Sequence, residues 1–324
     1  MDEIDMLRAV RDDLAAPVGG GKERARQALL SRMAATGEQP RRRMWLRLGA
    51  AVALATLLVI AGAPWQTREL STANAAALLN DLASIAAAQP AASARAAGYR
   101  YTKVESTYLN MTVVSGGDVI AVLGPKTREM WIGPDGAGRI RETAGEATFL
   151  NERGRAAWLA MGSPQLNRAI NEDFGPGGLS YEDLARLPTD PVALAAVIRE
   201  RAGRTQVPIN DEMFVVIGDL LRQQEAPPAV RAALYKVAAG IPGVELIGDA
   251  RDHSGRPGVA VAKTSSYRGL RLRNVLIFDP RTSALLGEEE VLLERATWVD
   301  APPPVVVGYA VYLDSRIVES LPRE

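Results

Sequence analysis

The longest apolar stretch in the chain runs from Leu48 to Trp65 (LGAAVALATLLVIAGAPW), carries no charge and has Thr56 as its one polar side chain. With Trp45 and Leu46 it covers about 30 Å at a rise of ~1.5 Å per residue, the thickness of a bilayer core. A core helix of a soluble domain would show a polar stripe here, and this run has none. On its amino side, Ile4, Leu7, Val10 and Leu14 recur at helical spacing, Pro17 to Gly21 breaks the pattern, and Ala25, Leu29, Leu30 and Met33 resume it. Residues 1–43 therefore read as a short helical tail, too small to bury much surface alone, which is either loosely ordered or folds on a partner.

On the carboxyl side, Ala73 to Ala97 is alanine-rich, with Leu78, Leu79, Leu82, Ile85 and Ala86 at helical spacing up to Pro90. From Gly98 the period drops to two through Tyr99, Tyr101, Lys103 and Glu105, the signature of a long strand. Thr127–Ile132 and Gly138–Thr143 flank the turn cluster Gly133-Pro134-Asp135-Gly136 and form a hairpin. Glu146 to Tyr235 reads as helices and loops, with periodic segments over Tyr181–Leu187, Pro191–Arg201 and Met213–Gln223 and a further helix over Ala229–Ala238. Asp190 before Pro191 is a cap followed by a residue suited to a first turn. The sheet resumes with Val244–Asp249 against Gly258–Thr264, Leu272–Phe278 against Ala284–Leu293, and a last strand over Val305–Leu313. Successive hairpins imply a curved antiparallel sheet.

Charge orients this plan. Arg41, Arg42, Arg43 and Arg47 precede the apolar run, whereas Arg68 beside Glu69 is the only base close after it, so the amino terminus is placed in the cytoplasm and the larger part outside. Trp45 and Trp65 stand where an indole sits at headgroup level. A cleaved signal peptide is the competing reading. It fits less well because some forty residues precede the arginines, and the small-residue site Ala61-Gly62-Ala63 is followed by Pro64. A second small-residue site, Ala73-Asn74-Ala75, lies well past the run. The expected divisions are 1–43 cytoplasmic tail, 44–65 transmembrane helix, 66–97 helical connector and 98–324 exported α+β domain.

Composition narrows the chemistry. The formal net charge is zero, and outside Arg41–Arg47 there is no long basic patch of the kind phosphate contacts need. The chain has no cysteine and a single histidine, His253, which removes disulfide staples, zinc sites built on His and Cys, cysteine nucleophiles and HExxH proteases. No Gly-x-Ser-x-Gly elbow, Walker A loop or GxGxxG occurs. His253 falls in a polar turn, Asp252-His253-Ser254-Gly255, and is expected to be solvated. The acidic runs Glu172-Asp173, Glu182-Asp183 and Glu288-Glu289-Glu290 are expected to be solvated too, because sequence neighbours point different ways. Tyr99, Tyr101, Trp131, Phe278, Tyr309 and Tyr312 fall on strands, where packing is their default role and a ligand cavity under the sheet the alternative. No catalytic residue, metal ligand or cofactor is expected. Few lysines against many arginines, with abundant alanine and glycine, fit a GC-rich bacterial genome.

Several phrases carry a resemblance: Leu187-Pro188-Thr189-Asp190-Pro191, Pro227-Pro228-Ala229-Val230-Arg231-Ala232-Ala233-Leu234-Tyr235, Gly240-Ile241-Pro242-Gly243-Val244, Gly255-Arg256-Pro257-Gly258 and Phe278-Asp279-Pro280-Arg281-Thr282. Along essentially its whole length the chain resembles an uncharacterised actinobacterial family of single-pass membrane proteins commonly encoded beside extracytoplasmic-function sigma factors. The order of strands and inserted helices also resembles, distantly, the half-barrel of lipoprotein carriers and periplasmic sigma-regulator domains. The resemblance implies a membrane-anchored envelope sensor acting on a sigma factor through its tail. The alternative is a lipid- or lipoprotein-binding envelope protein with an apolar cavity under the sheet.

Overall fold

The structure is a computed structural model and describes residues 72–90, 98–114, 119–163, 169–176, 184–205, 207–223, 226–267 and 270–322. The run Leu48–Trp65 and the residues expected to set topology, Arg41, Arg42, Arg43, Trp45, Arg47 and Trp65, lie outside these, as does the tail. Among the described residues no helix is long and apolar enough to cross a membrane.

The element order is α1 (Thr72–Ala88), β1 (Tyr99–Val113), β2 (Val119–Ile132), β3 (Gly138–Ala144), β4 (Thr148–Phe149), α2 (Glu152–Ala160), β5 (Ile170–Phe174), a 3-10 turn (Leu184–Arg186), α3 (Pro191–Ala202), α4 (Ile209–Leu221), α5 (Pro228–Ala239), β6 (Val244–Arg251), β7 (Pro257–Tyr267), β8 (Leu270–Phe278), β9 (Leu285–Leu292) and β10 (Val305–Val318). The strands form one antiparallel sheet in the order β5-β3-β2-β1-β10-β9-β8-β7-β6, with β4 paired to β2. It is not closed: β5 and β6 are its edges. The first strand pairs with the last, Tyr99 opposite Val318 and Tyr108 opposite Gly308, so the early and late hairpins become one surface.

Local chemistry explains most boundaries. The Asp190 carboxylate accepts from Ala193 N at 2.9 Å and Pro191 supplies the first turn of α3, as expected from Asp190-Pro191. Asn151 caps α2 in the same way, its side chain accepting from Gly154 N. α5 begins at the Pro227-Pro228 pair and ends at Gly240. The hairpins expected from turn clusters are present, with Ile132 opposite Gly138 in the first and Val244 opposite Lys263 in the next. β5 is a departure. It lies in the stretch read as helices and loops, because its sequence INEDF has apolar residues only at its two ends, Ile170 and Phe174. It is held through its neighbour β3, with Gly138 opposite Phe174.

One face of β6 to β10 packs against α1, α3, α4 and α5. Leu79, Leu82, Leu194, Ile198, Phe214, Ile217, Leu234 and Tyr235 from the helices meet Val261, Leu276, Phe278, Leu285, Ala310 and Tyr312 from the strands. Each such large side chain contributes about 1.5–3 kcal/mol by leaving water. Tyr235 meets Phe278 edge-on, ring centres 5.3 Å apart at 83°. The opposite face has its own cluster, Ala260, Ala262, Val275, Ile277 and Val291. Alternate residues of β7 and β8 thus enter separate cores, the period-two rule at work. α1 occupies the stretch expected as a helical connector and is integral to the first core, burying Ala75, Leu79, Leu82, Ala83 and Ala86.

Candidate functional site

Among the buried polar groups, two adjacent carboxylates, Glu288 and Glu289, stand on β9 near the middle of the sheet. Consecutive strand residues point to opposite faces, so Glu288 enters the helix-covered side and Glu289 the other. Both are buried, at 6% and 7% exposure, which corrects the expectation that this acidic run is solvated. β9 is paired to β8 and β10, and each carboxylate is covered on its own face, Glu288 by Arg222 and Glu289 by His253.

On the helix side, the Arg222 guanidinium just beyond α4 reaches Glu288 Oε2 at 2.8 Å, pairs with Asp219 three residues back, and donates from Nε to Tyr312 Oη at 3.2 Å. The Tyr108 hydroxyl lies 3.4 Å from Glu288 Oε1. Burial works against the charge on Arg222, and the carboxylates of Asp219 and Glu288 outweigh it, holding the guanidinium pKa well above its ordinary value. The Tyr312 phenol is pushed well above its usual range by burial and by the Glu288 charge. At the other end of α4, Asp211 Oδ1 accepts from Lys263 Nζ of β7 at 2.6 Å. The helix is pinned to the sheet by an ion pair at each end, with Phe214 and Ile217 packed between them.

On the opposite face, the His253 imidazole stacks on the Tyr309 ring, centroids 3.8 Å apart and planes 9° from parallel. Its Nε2 stands 3.1 Å from Glu289 Oε1, yet makes no hydrogen bond, and Glu289 Oε2 is buried without a hydrogen-bond partner. The imidazole is 14% exposed, which corrects the expectation of a solvated loop histidine. The turn carrying it is fixed by Asp252, whose Oδ1 accepts from Ser254 N, Ser254 Oγ and Arg256 N and whose Oδ2 pairs with Arg256 Nε at 2.6 Å.

Further along the sheet, Glu142 of β3 lies between Arg128 and Lys126 of β2. Burial lowers the Lys126 pKa, helped by the Arg128 charge. Arg139 grips Asp173 of β5 through Nε at 2.5 Å and Nη2 at 3.0 Å and donates to the Pro322 carbonyl at 3.1 Å. The hydrogen bonds from Arg139 hold the Asp173 carboxyl below its usual range. A groove of about 430 Å³ opens between the first turn of α1 (Thr72, Ala73, Ala76) and the chain from Ala239 to Val244.

Three residues singled out separately in the sequence, His253, Glu289 and Tyr309, are brought together here. Glu288 and Tyr312 meet in the other cluster. Tyr101 and Trp131 are buried and in contact, centroids 5.1 Å apart, as core aromatics. Phe278 is core as well. Glu172 and Asp173 stand on β5 and are exposed, as expected. Glu182 and Asp183 lie outside the described residues. Arg222, Asp219, Lys263 and Asp211 were not legible as site residues. The Asp219–Arg222 spacing on a periodic segment was the one available signal, and it reads equally as a surface ion pair. Among the described residues no group of three or more His, Asp or Glu side chains is placed to hold a metal by itself. No protein-family model matches the chain, and no curated protein matches its sequence.

Proposed function

We propose that the protein is a membrane-anchored envelope sensor. In this reading residues 1–43 lie in the cytoplasm, residues 44–65 cross the membrane once, and the α+β domain, its sheet half-barrel-like, stands outside. The tail modulates a sigma factor. The observation that carries the reading is the build of α1. It begins at Thr72, seven positions after Trp65, and is packed into the domain core through Leu79, Leu82 and Ala86. In this reading a change in the exported core that shifts α1 is passed to the anchor that precedes it in the chain, since packed interfaces shift between discrete arrangements rather than bending. No catalytic role or cofactor is proposed.

A second reading, a lipid- or lipoprotein-binding envelope protein, draws on the groove beside the first turn of α1, whose volume of about 430 Å³ is within the usual range for ligand sites. It differs from an apolar cavity under the sheet, because there the helix side is filled by Tyr235, Phe214 and their neighbours. The test is affinity purification of the full-length protein from detergent-solubilised native membranes with mass spectrometry of what accompanies it. A sigma factor retained by the whole chain and lost on deletion of residues 1–40 is the expected result. Recovery of envelope proteins or lipoproteins alone overturns the first reading in favour of the second.

A further inference from the structure

Strand register brings distant parts of the chain to one end of the sheet. β1 ends at Val113, opposite Val119, where β2 begins. Across the sheet the same end carries Val305 opposite Leu292, Leu292 opposite Leu272 and Leu272 opposite Ser265. Next to these, Lys263 of β7 stands opposite Val244, the first residue of β6. Val244 lines the groove beside Thr72 and Ala73, so α1 starts at this end too. α2 is laid against the first residues of β2. Asn151 Nδ2 donates to the Val119 carbonyl at 3.3 Å, and Trp158 packs on Phe149, ring centres 5.1 Å apart, with Phe149 opposite Val122. Apolar side chains left in water concentrate here. Among the described residues five large ones are exposed, and Val113 (43%), Leu159 (52%) and Met161 (56%) belong to this end. Ile317 stands at the opposite end of β10, beside the start of β1, about 40 Å from Val305 at the rise of a strand. Single exposed apolar residues are ordinary, whereas several at one end of a sheet mark a contact surface.

We propose that this end of the sheet docks on the lipid surface, with Val113 at the end of β1 and Leu159 and Met161 at the end of α2 entering the headgroup boundary. The inference rests on the membrane-anchored reading above and adds the face that the domain turns to the bilayer. Trp65 closes the apolar run seven positions before Thr72. Seven positions at ~3.3–3.6 Å each reach about 25 Å at most, so the start of α1 stays within that distance of the membrane. The tether therefore presents the end carrying Val113, Leu159 and Met161 and holds the Ile317 end away. Their apolar side chains then leave water as those of an interfacial helix do. Docking fixes the orientation of the domain, so that a shift of α1 against its core is delivered to the anchor and not lost as rotation of the whole domain about its tether.

The chain has no cysteine, so a single one can be placed and labelled without competition. Val113→Cys, Leu159→Cys, Ile317→Cys and Thr56→Cys are made in the full-length protein and each is labelled with an environment-sensitive fluorophore. The labelled proteins are reconstituted into vesicles of phosphatidylcholine and phosphatidylglycerol, with or without bromine on the acyl chains as a contact quencher. Labels at positions 113 and 159 should shift to the blue and lose emission in brominated vesicles, and the label at position 317 should do neither. The label at position 56 reports the anchor separately. Quenching at 56 with none at 113 and 159 overturns the docking and leaves the anchored reading standing. Quenching at none of the four overturns both. Equal quenching at 113, 159 and 317 means that the domain lies on lipid with no preferred end, and it overturns the proposal as well. Near-ultraviolet circular dichroism checks the fold of each variant. Should Val113→Cys fail to fold, Leu159→Cys against Ile317→Cys decides the matter.

Discussion

Glu288 and Glu289 are neighbours in sequence, equally buried and of identical chemistry, yet the two faces of the sheet treat them differently. Glu288 is met by Arg222 at 2.8 Å within a network that includes Asp219, Tyr312 and Tyr108. Glu289 faces an imidazole with which it forms no hydrogen bond and keeps one oxygen open. The difference lies in the partner: Glu288 is compensated by a guanidinium, which is always charged, whereas Glu289 is met by an imidazole, and each cluster leaves one buried carboxylate oxygen without a hydrogen bond, Asp219 Oδ1 in the first and Glu289 Oε2 in the second.

The largest test of this contrast is Arg222→Met. It leaves Glu288 and Asp219 without their cation inside the protein, and the expected loss is about 3–5 kcal/mol, measured by urea unfolding. A loss under about 1 kcal/mol would mean that water already screens the network and that the two faces do not differ. Combining Arg222→Met with Glu288→Leu should recover part of the loss, because it removes the stranded charge as well.

Tyr235→Phe is next. The hydroxyl donates to the carbonyl of Ser283, a fully buried residue with a left-handed backbone (φ 56°) in the β8–β9 turn. Removing it strands that acceptor on the helix side at a cost of about 1–3 kcal/mol, read as a lower urea midpoint with an unchanged slope.

The same turn gives a smaller effect that depends on pH. Burial acts to raise the Asp279 pKa, but the backbone N–H of Arg281, 2.8 Å from Oδ1, together with the Thr282 hydroxyl and the Arg281 charge, outweighs it and holds the carboxyl below its ordinary value. A lowered folded-state pKa contributes stability above the unfolded value of about 3.9, and that contribution fades as pH falls through the folded value. Asp279→Asn should therefore unfold at lower urea than wild type at neutral pH, with the gap closing in acid. A gap that persists at acid pH would assign the effect to the loss of hydrogen bonds by shape and not to charge.

The smallest effect belongs to the other face. His253→Gln should change unfolding free energy by under about 1 kcal/mol, because no hydrogen bond is lost at Nε2. A loss as large as that of Arg222→Met would make His253 a structural member of the sheet and erase the contrast.

Much of the fold was legible because it is local. Gly133-Pro134-Asp135-Gly136 makes its hairpin, Asp190-Pro191 starts α3, and Pro227-Pro228 with Gly240 bounds α5. β5 was not, since INEDF has no hydrophobic alternation and is held through pairing to β3 and the Arg139 clamp on Asp173. Of the site, residue types were visible and partnerships were not. His253 in a polar turn and a run of three glutamates each read as solvated, and burial reversed both for His253, Glu288 and Glu289. The pairing of β10 with both β9 and β1 set the middle of β9 deep in the sheet, and nothing near residues 288–290 announces that.

By itself the sequence determined the period switch from helix to strand, the turn positions, the caps, the uncharged run Leu48–Trp65 with its arginine-rich flank, and the absence of cysteine chemistry. These depend on residues within a few positions of one another, where backbone preference and amphipathic spacing act directly. Only the tertiary structure decided that the first strand pairs with the last, that Glu288 finds Arg222 and that Glu289 finds His253. Those contacts join residues far apart along the chain, and their worth comes from shared exclusion of water, which no segment possesses until the others have packed around it.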